Sequence, residues 1–254
     1  MQLSCDECFR RFSALGRLLS QHHRPHTTET RSTLLKFSNL LTERWTITSG
    51  VATGLSSIGC DMAILLLSGP VAVGKSTFSK RLIDDNQFVA IRSGAYLVEA
   101  AAAKGLSINR TNLQVVGDFL DEQTDCRWLV DDVAIPTIGG NSNTQEWLLD
   151  AVRKERQVHH LRAEYGDAVF HVHLTAPEWF LQQRYETRRA AGDEYSRETP
   201  YSTAIKHPNE VASRQLISIA QLVIDVSQID LDTSVKAALS ARTGALSDAK
   251  DRHH

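Results

Sequence analysis

Gly69 and Gly74 frame a short segment, followed by Lys75 and Ser76, whose residue types and spacing suit the binding of a phosphate chain. Glycines accept backbone angles that a side chain forbids, so the N–H groups between them can curl around an anion. The lysine can reach the β- and γ-phosphates, and the serine hydroxyl can bind Mg²⁺. The segment matches the pattern G-x-x-x-x-G-K-[ST] of a phosphate-binding loop. Its predicted ATP-binding residues are Gly69, Val71, Ala72, Val73, Gly74, Lys75, Ser76 and Thr77.

The segments around this loop predict the strand and the helix that must position it. A buried strand of apolar residues precedes the loop, and a helix-compatible sequence follows it. Beyond it, strand-like and helix-like segments alternate, which predicts a parallel sheet covered by helices on both faces. The expected fold is α/β, a P-loop NTPase three-layer sandwich with a five-stranded parallel sheet and a short lid. The predicted strands are AILLLSG, FVAIRS, WLLDAV, AVFHVHLT and LVIDV.

Composition divides the chain into three parts and excludes several function classes. Residues 1–61 form an N-terminal extension rich in Ser, Thr, Arg and His, residues 62–243 form the α/β domain, and residues 244–254 form a flexible tail. The net charge of −2 provides no basic field for nucleic acid, and no apolar run is long enough to cross a membrane. Four cysteines without a regular framework favour a reducing, cytoplasmic location.

The N-terminal extension contains a possible zinc site within residues 1–27. The spacing of Cys5, Cys8, His22 and His26 resembles a C₂H₂ zinc finger, with thirteen residues instead of the usual twelve in the central gap. If Zn²⁺ binds, the single finger would be a weak DNA reader, and a role as a protein contact or a structural cap is equally plausible. The rest of the extension is expected to be disordered. The alternative is that the extension is absent from the native protein, because Met62 directly precedes the first strand and is a natural start.

Residues 62–227 resemble the nucleoside-monophosphate kinase family, of which adenylate kinase is the familiar member. After the second predicted strand, Ile91-Arg92-Ser93-Gly94-Ala95-Tyr96-Leu97 is similar to the family's I-S-T-G-D-x-L. Ala95 replaces the family's aspartate, and Val98 replaces its arginine. The resemblance implies that this segment binds the phosphate acceptor, with Arg92 supplying the missing positive charge. The alternative for Arg92 is a solvated loop cation.

A second similarity follows the third predicted strand. Leu149-Asp150-Ala151-Val152-Arg153-Lys154-Glu155-Arg156-Gln157 is similar to L-D-G-F-P-R-x-x-x-[NQ], although one residue is missing between Asp and Arg, and Gly and Pro are absent. The resemblance implies that Asp150 holds Mg²⁺ through water, that Arg153 grips the acceptor phosphate and that Gln157 reads the base. The alternatives are a helix N-cap for Asp150 and an exposed helix face for the other two.

A third similarity lies on the helix after the fourth predicted strand. Arg184 and Arg188 belong to an R-x-x-x-R-R run typical of the family's lid, and their spacing places them on one helix face. The resemblance implies that both neutralise charge on the transferring phosphoryl group, that Gly192–Tyr201 is the lid and that Arg214 contacts phosphate. Arg110 is a further candidate over the acceptor site. For each arginine, the alternative is a solvated surface charge.

These features together predict a P-loop kinase that uses ATP and Mg²⁺, with Lys75, Asp150, Arg184 and Arg188 as catalytic residues. The expected acceptor is a small molecule, foremost a (deoxy)nucleoside monophosphate. A kinase for a non-nucleotide metabolite remains open, as does a regulatory ATP-binding protein with a zinc-finger contact module. An acceptor phosphate oxygen is already anionic at neutral pH, so that reaction requires no separate general base. The sequence does not predict the oligomeric state.

Overall fold

The computed structural model describes residues 62–141, 143–150, 152–192 and 199–251. Its centre is a sheet of five parallel strands, as the alternation of elements predicted. The spatial order of the strands is β2-β3-β1-β4-β5, so the strand that leads into the glycine-bounded loop lies in the middle. The strands are β1 (Ala63–Ser68), β2 (Val89–Ala90), β3 (Glu146–Leu149), β4 (Val169–Thr175) and β5 (Leu222–Asp225).

Helices connect the strands, and they pack on both faces of the sheet. A π-helical segment, Leu129–Ala134, precedes the fourth α-helix, and two 3₁₀ turns cover Gly166–Ala168 and Leu216–Ile219. The α-helices are α1 (Lys75–Asn86), α2 (Ser93–Ala103), α3 (Arg110–Thr124), α4 (Ile135–Gly139), α5 (Glu155–Tyr165), α6 (Glu178–Ala190), α7 (Tyr201–Ala204), α8 (Pro208–Gln215) and α9 (Leu231–Asp251).

The three-layer arrangement follows from the side-chain alternation of β1. Every residue of this strand is buried, as expected for the central strand of a parallel sheet. Leu65 and Leu67 pack with Phe78 of α1 on one face, whereas Ile64 and Leu66 belong to a second apolar cluster on the other. Because successive side chains of a strand point to opposite faces, one apolar strand contributes to both cores.

The observed elements differ from the sequence-based expectation in four places. Strand β2 has two residues instead of six, and β3 ends at Leu149, so Asp150 follows the strand. The π-helical segment was not predicted, although its residues Val130 and Val133 are buried in the second core. Helix α9 continues to Asp251, so most of the segment expected to be a flexible tail is helical.

Some predictions concern residues outside the described ranges. The N-terminal extension, with the zinc ligands Cys5, Cys8, His22 and His26, lies outside them, and so do residues 193–198 of the predicted lid. Within the described ranges, none of the helices has the length and apolar character needed to cross a membrane.

Candidate nucleotide-binding site

The loop after β1 has the backbone shape that its glycines predicted. Gly69 has φ +143° and Gly74 has φ +107°, both in the region that L side chains rarely adopt. A Cβ at Gly69 would lie only 2.4 Å from the backbone oxygen of Leu174 on β4. Ala72 is also held at φ +64°, a left-handed conformation that is rare for a residue with a side chain. The loop therefore curls tightly over the end of the sheet, as an anion-binding loop must.

We expect the variant Gly69→Ala to destabilise the protein by at least about 2 kcal/mol and to weaken ATP binding by more than about tenfold. The added methyl group meets the Leu174 carbonyl, and strand β4 cannot retreat without breaking the sheet. Urea unfolding and titration with ATP measure the two effects. Gly244→Ala is the matched control because a Cβ there meets nothing within 4 Å on helix α9. Equal stability of the two variants would contradict the inferred close contact.

Lys75 connects this loop to the other predicted motifs. Its Nζ donates to the carbonyl oxygens of Gly69 at 2.5 Å and Pro70 at 2.9 Å. Burial lowers the pKa of Lys75 to about 8, the charge of Glu210 opposes this, and Arg153, Asp150 and Arg188 act on the same ammonium with smaller effects. The charges of two distant segments that the sequence suggested separately, the segment after β3 and helix α6, thus act on Lys75, and Glu210 joins them without having been predicted.

The arginines of α6 lie against the loop. Arg184 Nη1 donates to the Val73 carbonyl at 3.3 Å, and its guanidinium lies 5.4 Å from the Phe180 ring centroid. Burial, with a smaller effect from Arg188, lowers the pKa of Arg184. Arg188 lies one turn further along α6 and is half-buried. The structure therefore brings the predicted pair of cations to the phosphate-binding loop, where they can neutralise phosphate charge.

Ser76 and Asp150, the predicted Mg²⁺ ligands, carry oxygen donors of the kind that Mg²⁺ prefers. Both residues are exposed, and Asp150 directly follows β3, the strand that pairs with β1 through Leu66 and Leu149. Mg²⁺ usually binds one or two protein oxygens and takes its other ligands from phosphates and water. The described residues contain no cluster of three or more His, Cys, Asp or Glu arranged for a metal, which is compatible with such a sparse set. The N-cap of α5 is Lys154, so the alternative role of Asp150 as a cap is wrong.

A small cavity of about 100 Å³ lies beside the loop. Its lining includes Thr77 and Arg184 together with Val226, Ile229 and Leu231. The sequence analysis missed these apolar residues. Their position just beyond the carboxyl end of β5 was the available signal, since ligands of parallel α/β sheets bind at that edge.

The predicted acceptor-binding residues differ in their exposure to solvent, and three of them lie at the surface. Arg92 precedes α2 as its N-cap, Arg110 begins α3, and both are exposed. Arg153 is also exposed, at the carboxyl edge after β3. All three are exposed to solvent, and their role in binding an acceptor stays a prediction.

Gln157 requires a correction. Gln157 is only 5% exposed, so it neither contacts a base nor belongs to an exposed helix face. Its Oε1 accepts the backbone N–H groups of Arg153 at 2.9 Å and Lys154 at 3.2 Å, and its Nε2 donates to Asp121 at 3.3 Å. The side chain satisfies the open amides at the start of α5, which is a structural role.

Arg214 also differs from its prediction. Its guanidinium donates to Glu178 at 2.8 Å, to Glu210 at 3.0 Å and to the Tyr201 hydroxyl at 3.3 Å. The structure places it between two carboxylates instead of at an open phosphate position. Arg214 therefore acts on the loop through Glu210.

A buried polar cluster under the loop was not foreseen. Ser68 Oγ lies 2.6 Å from His171 Nε2 and 2.8 Å from His173 Nδ1, and all three residues are at most 1% exposed. Burial lowers the pKa of His171 to about 3 and that of His173 to about 4, with smaller effects from Arg162 on the former and Lys75 on the latter. The cluster ties the last residue of β1 to β4. The alternating F-H-V-H pattern of β4 was the only sequence signal for it.

Comparison with known proteins adds only distant structural similarity. No family model matches the chain, and no curated protein matches it. A gluconokinase from Sinorhizobium meliloti aligns with TM-score 0.41 and 17% identity over 76% of this chain and 98% of its own. A sugar kinase from Janibacter aligns with TM-score 0.42 and 14% identity, over 70% and 93% respectively. An uncharacterised protein from Eubacterium ventriosum aligns with TM-score 0.44 and 12% identity, over 72% and 99%. These scores are too low to indicate a substrate.

Proposed function

We propose that this protein is an ATP-dependent kinase that transfers the γ-phosphoryl group to a small phosphate-bearing acceptor, foremost a (deoxy)nucleoside monophosphate. The contact of Arg184 with the Val73 carbonyl of the loop, together with the charges of Arg153, Asp150 and Arg188 that act on Lys75, carries the proposal. A loop that only binds nucleotide has no use for two further cations around its lysine. Phosphoryl transfer has such a use, because its transition state spreads negative charge over the phosphoryl oxygens.

The loop geometry supports one orientation of the bound nucleotide. The Lys75 ammonium contacts the carbonyls of Gly69 and Pro70, and this lysine reaches the β- and γ-phosphates in such loops. The γ-phosphate therefore lies toward the start of the loop. At the other end, Thr77 borders the apolar cavity with Val226 and Ile229, which accommodates the base.

In this orientation, the residues of the chain position charge and reactants. The loop amides and Lys75 bind the phosphates, and Arg184 and Arg188 neutralise charge that builds on the transferring group. Ser76 and Asp150 would hold Mg²⁺, which would supply additional neutralisation of the phosphate charge. Arg92, Arg110 and Arg153 orient the acceptor.

Two observations point to different chemical classes of acceptor. The segment after β2 carries Arg92, Ser93, Gly94 and Ala95 and no carboxylate, which favours an acceptor that is already anionic. Against a nucleotide, Gln157 is buried and cannot read a base. This second observation favours the alternative, a hydroxyl-bearing, non-nucleotide metabolite for which the exposed carboxylate of Asp150 acts as the base.

The test is ADP formation by the purified full-length protein with Mg·ATP and two panels of acceptors. One panel contains (deoxy)nucleoside monophosphates, and the other contains sugars, sugar acids and polyols. We expect one or two monophosphates to stimulate ADP formation by at least about tenfold over the acceptor-free rate. Stimulation only by the second panel would replace the nucleotide acceptor by a metabolite. ATP binding without stimulation by either panel would contradict the kinase and favour a regulatory ATP-binding protein.

A further inference from the structure

The carboxylate of Glu210 on helix α8 is hydrogen-bonded to one of the backbone amides of the phosphate-binding loop. Its Oε1 accepts the backbone N–H of Val71 at 2.8 Å. The side chain is only 13% exposed, and its carboxylate is also paired with Arg214 Nε at 3.0 Å. Helix α8 contacts the loop a second time, since the Ser213 hydroxyl donates to the Gly69 carbonyl at 3.0 Å. A carboxylate thus makes the contact that a loop amide offers to a phosphate oxygen.

The position of this contact corresponds to the γ-phosphate end of the loop. Val71 follows Gly69 and Pro70, whose carbonyls hold the Lys75 ammonium. The charge of Glu210 acts on that ammonium and raises its pKa against the effect of burial. A γ-phosphate bound beside Lys75 therefore lies next to the Glu210 carboxylate, whereas the α-phosphate and the base lie toward Thr77.

We propose that Glu210 is an internal anion that occupies the γ-phosphate end of the loop and that ATP displaces. This inference rests on the proposed ATP site. Two like charges repel strongly in a partly buried site, so the carboxylate disfavours ATP more than ADP, which lacks the γ-phosphate. Arg214 can retain the carboxylate after its displacement, because it already pairs with it.

Arg214 links Glu210 to the Tyr201 hydroxyl of α7 and to Glu178 of α6, so the carboxylate belongs to a wider polar network that can hold it when ATP occupies its place.

The experiment compares ATP and ADP affinity, measured calorimetrically with Mg²⁺ and without acceptor, in the wild type and in Glu210→Gln. A glutamine oxygen can still accept the Val71 N–H, so this variant removes the charge and keeps the hydrogen bond. We expect the Kd for ATP to fall about fivefold and the Kd for ADP to change by less than about twofold. Glu178→Gln is the matched control because Glu178 pairs with the same Arg214 but, among the described residues, does not contact the loop. The affinities of this variant should remain within about twofold of wild type.

Other results separate this inference from the proposed function. If Glu210→Gln binds ATP no more tightly than the wild type, or gains equally for ADP, the internal-anion role is wrong. Weaker ATP binding in both Glu210→Gln and Glu210→Ala would make Glu210 a clamp that shapes the loop. If the wild type itself binds neither nucleotide, the proposed function falls together with the inference. The thermal midpoint of each variant shows whether it is folded.

Discussion

The variant Lys75→Ala is expected to lower acceptor-dependent ADP formation by at least about 100-fold while the protein remains folded. Lys75 is the cation that the charges of Arg153, Asp150 and Arg188 all act upon. In the proposed reaction, its removal takes away the charge that stabilises the β- and γ-phosphates in the transition state. The fold does not need this ammonium, because burial disfavours its charged form and lowers its pKa to about 8. Thermal unfolding should therefore change little.

Lys80→Ala provides the control for the loss of a lysine from helix α1. The side chain of Lys80 is 75% exposed and pairs with Asp84, away from the loop. This variant should keep its ADP-forming rate within about twofold of wild type, as expected for a surface ion pair. A Lys75→Ala rate within about fivefold of wild type would show that phosphoryl transfer does not use this loop.

The same lysine predicts how the ATP affinity of the wild type depends on pH. Because the pKa of Lys75 is about 8, its ammonium is charged below that pH and loses its proton above it. The Kd for ATP should be nearly constant from pH 6.5 to 7.5 and rise above pH 8 by up to about tenfold per pH unit. In Lys75→Ala this rise should disappear. A pH-independent Kd in the wild type would contradict the lowered pKa.

The second large effect is a loss of stability at mildly acidic pH, caused by His171 and His173. The pKa values of these buried side chains are lowered from 6.5 to about 3 and about 4, so the native state holds both rings neutral. Below pH 6.5 the unfolded chain takes up protons that the folded chain refuses, so the free energy of unfolding falls as the pH falls, until about pH 4. Each histidine contributes up to about 1.4 kcal/mol per pH unit. The expected loss between pH 7 and pH 5 is about 4 kcal/mol, a large part of a typical domain's stability.

Urea unfolding at pH 7, 6 and 5 measures this loss in the wild type. Carboxylates with ordinary pKa values titrate mainly below this window, so the histidines dominate it. His173→Asn should flatten the pH dependence, whereas His159→Gln should not, because His159 is 51% exposed and bonds only to Glu155 on its own helix. Stability that is equal at pH 7 and pH 5 would show that the buried rings take up protons as readily in the native state as in the unfolded chain, which would contradict their lowered pKa values.

The glycine-bounded loop and the parallel sheet could be predicted because their signals are local. The spacing of Gly69, Gly74 and Lys75 lies within a few residues, and the loop has the positive φ angles that this spacing requires. The apolar run of β1 likewise predicted a central strand, because only a strand covered on both faces is apolar at every position. Arg184 of α6 contacts the loop, and Arg188 lies on the same helix face because the two are four residues apart.

Tertiary structure decided the features that depend on distant contacts. Gln157 has a spacing suited to base recognition, yet Asp121 and the start of α5 enclose it. Glu210 lies 139 residues from Val71 in the chain, and only the packing of α8 against the loop brings its carboxylate there.

The cluster under the loop was decided in the same way. The parallel register that pairs Ser68 with His173 places a hydroxyl between two imidazoles, and the desolvation that lowers their pKa values exists only once the sheet is covered. Sequence by itself determined the elements and the phosphate-binding loop, since backbone angles and side-chain periodicity act over a few residues. The tertiary structure determined which charges face that loop, because electrostatic and desolvation effects depend on distance in space and not on distance along the chain.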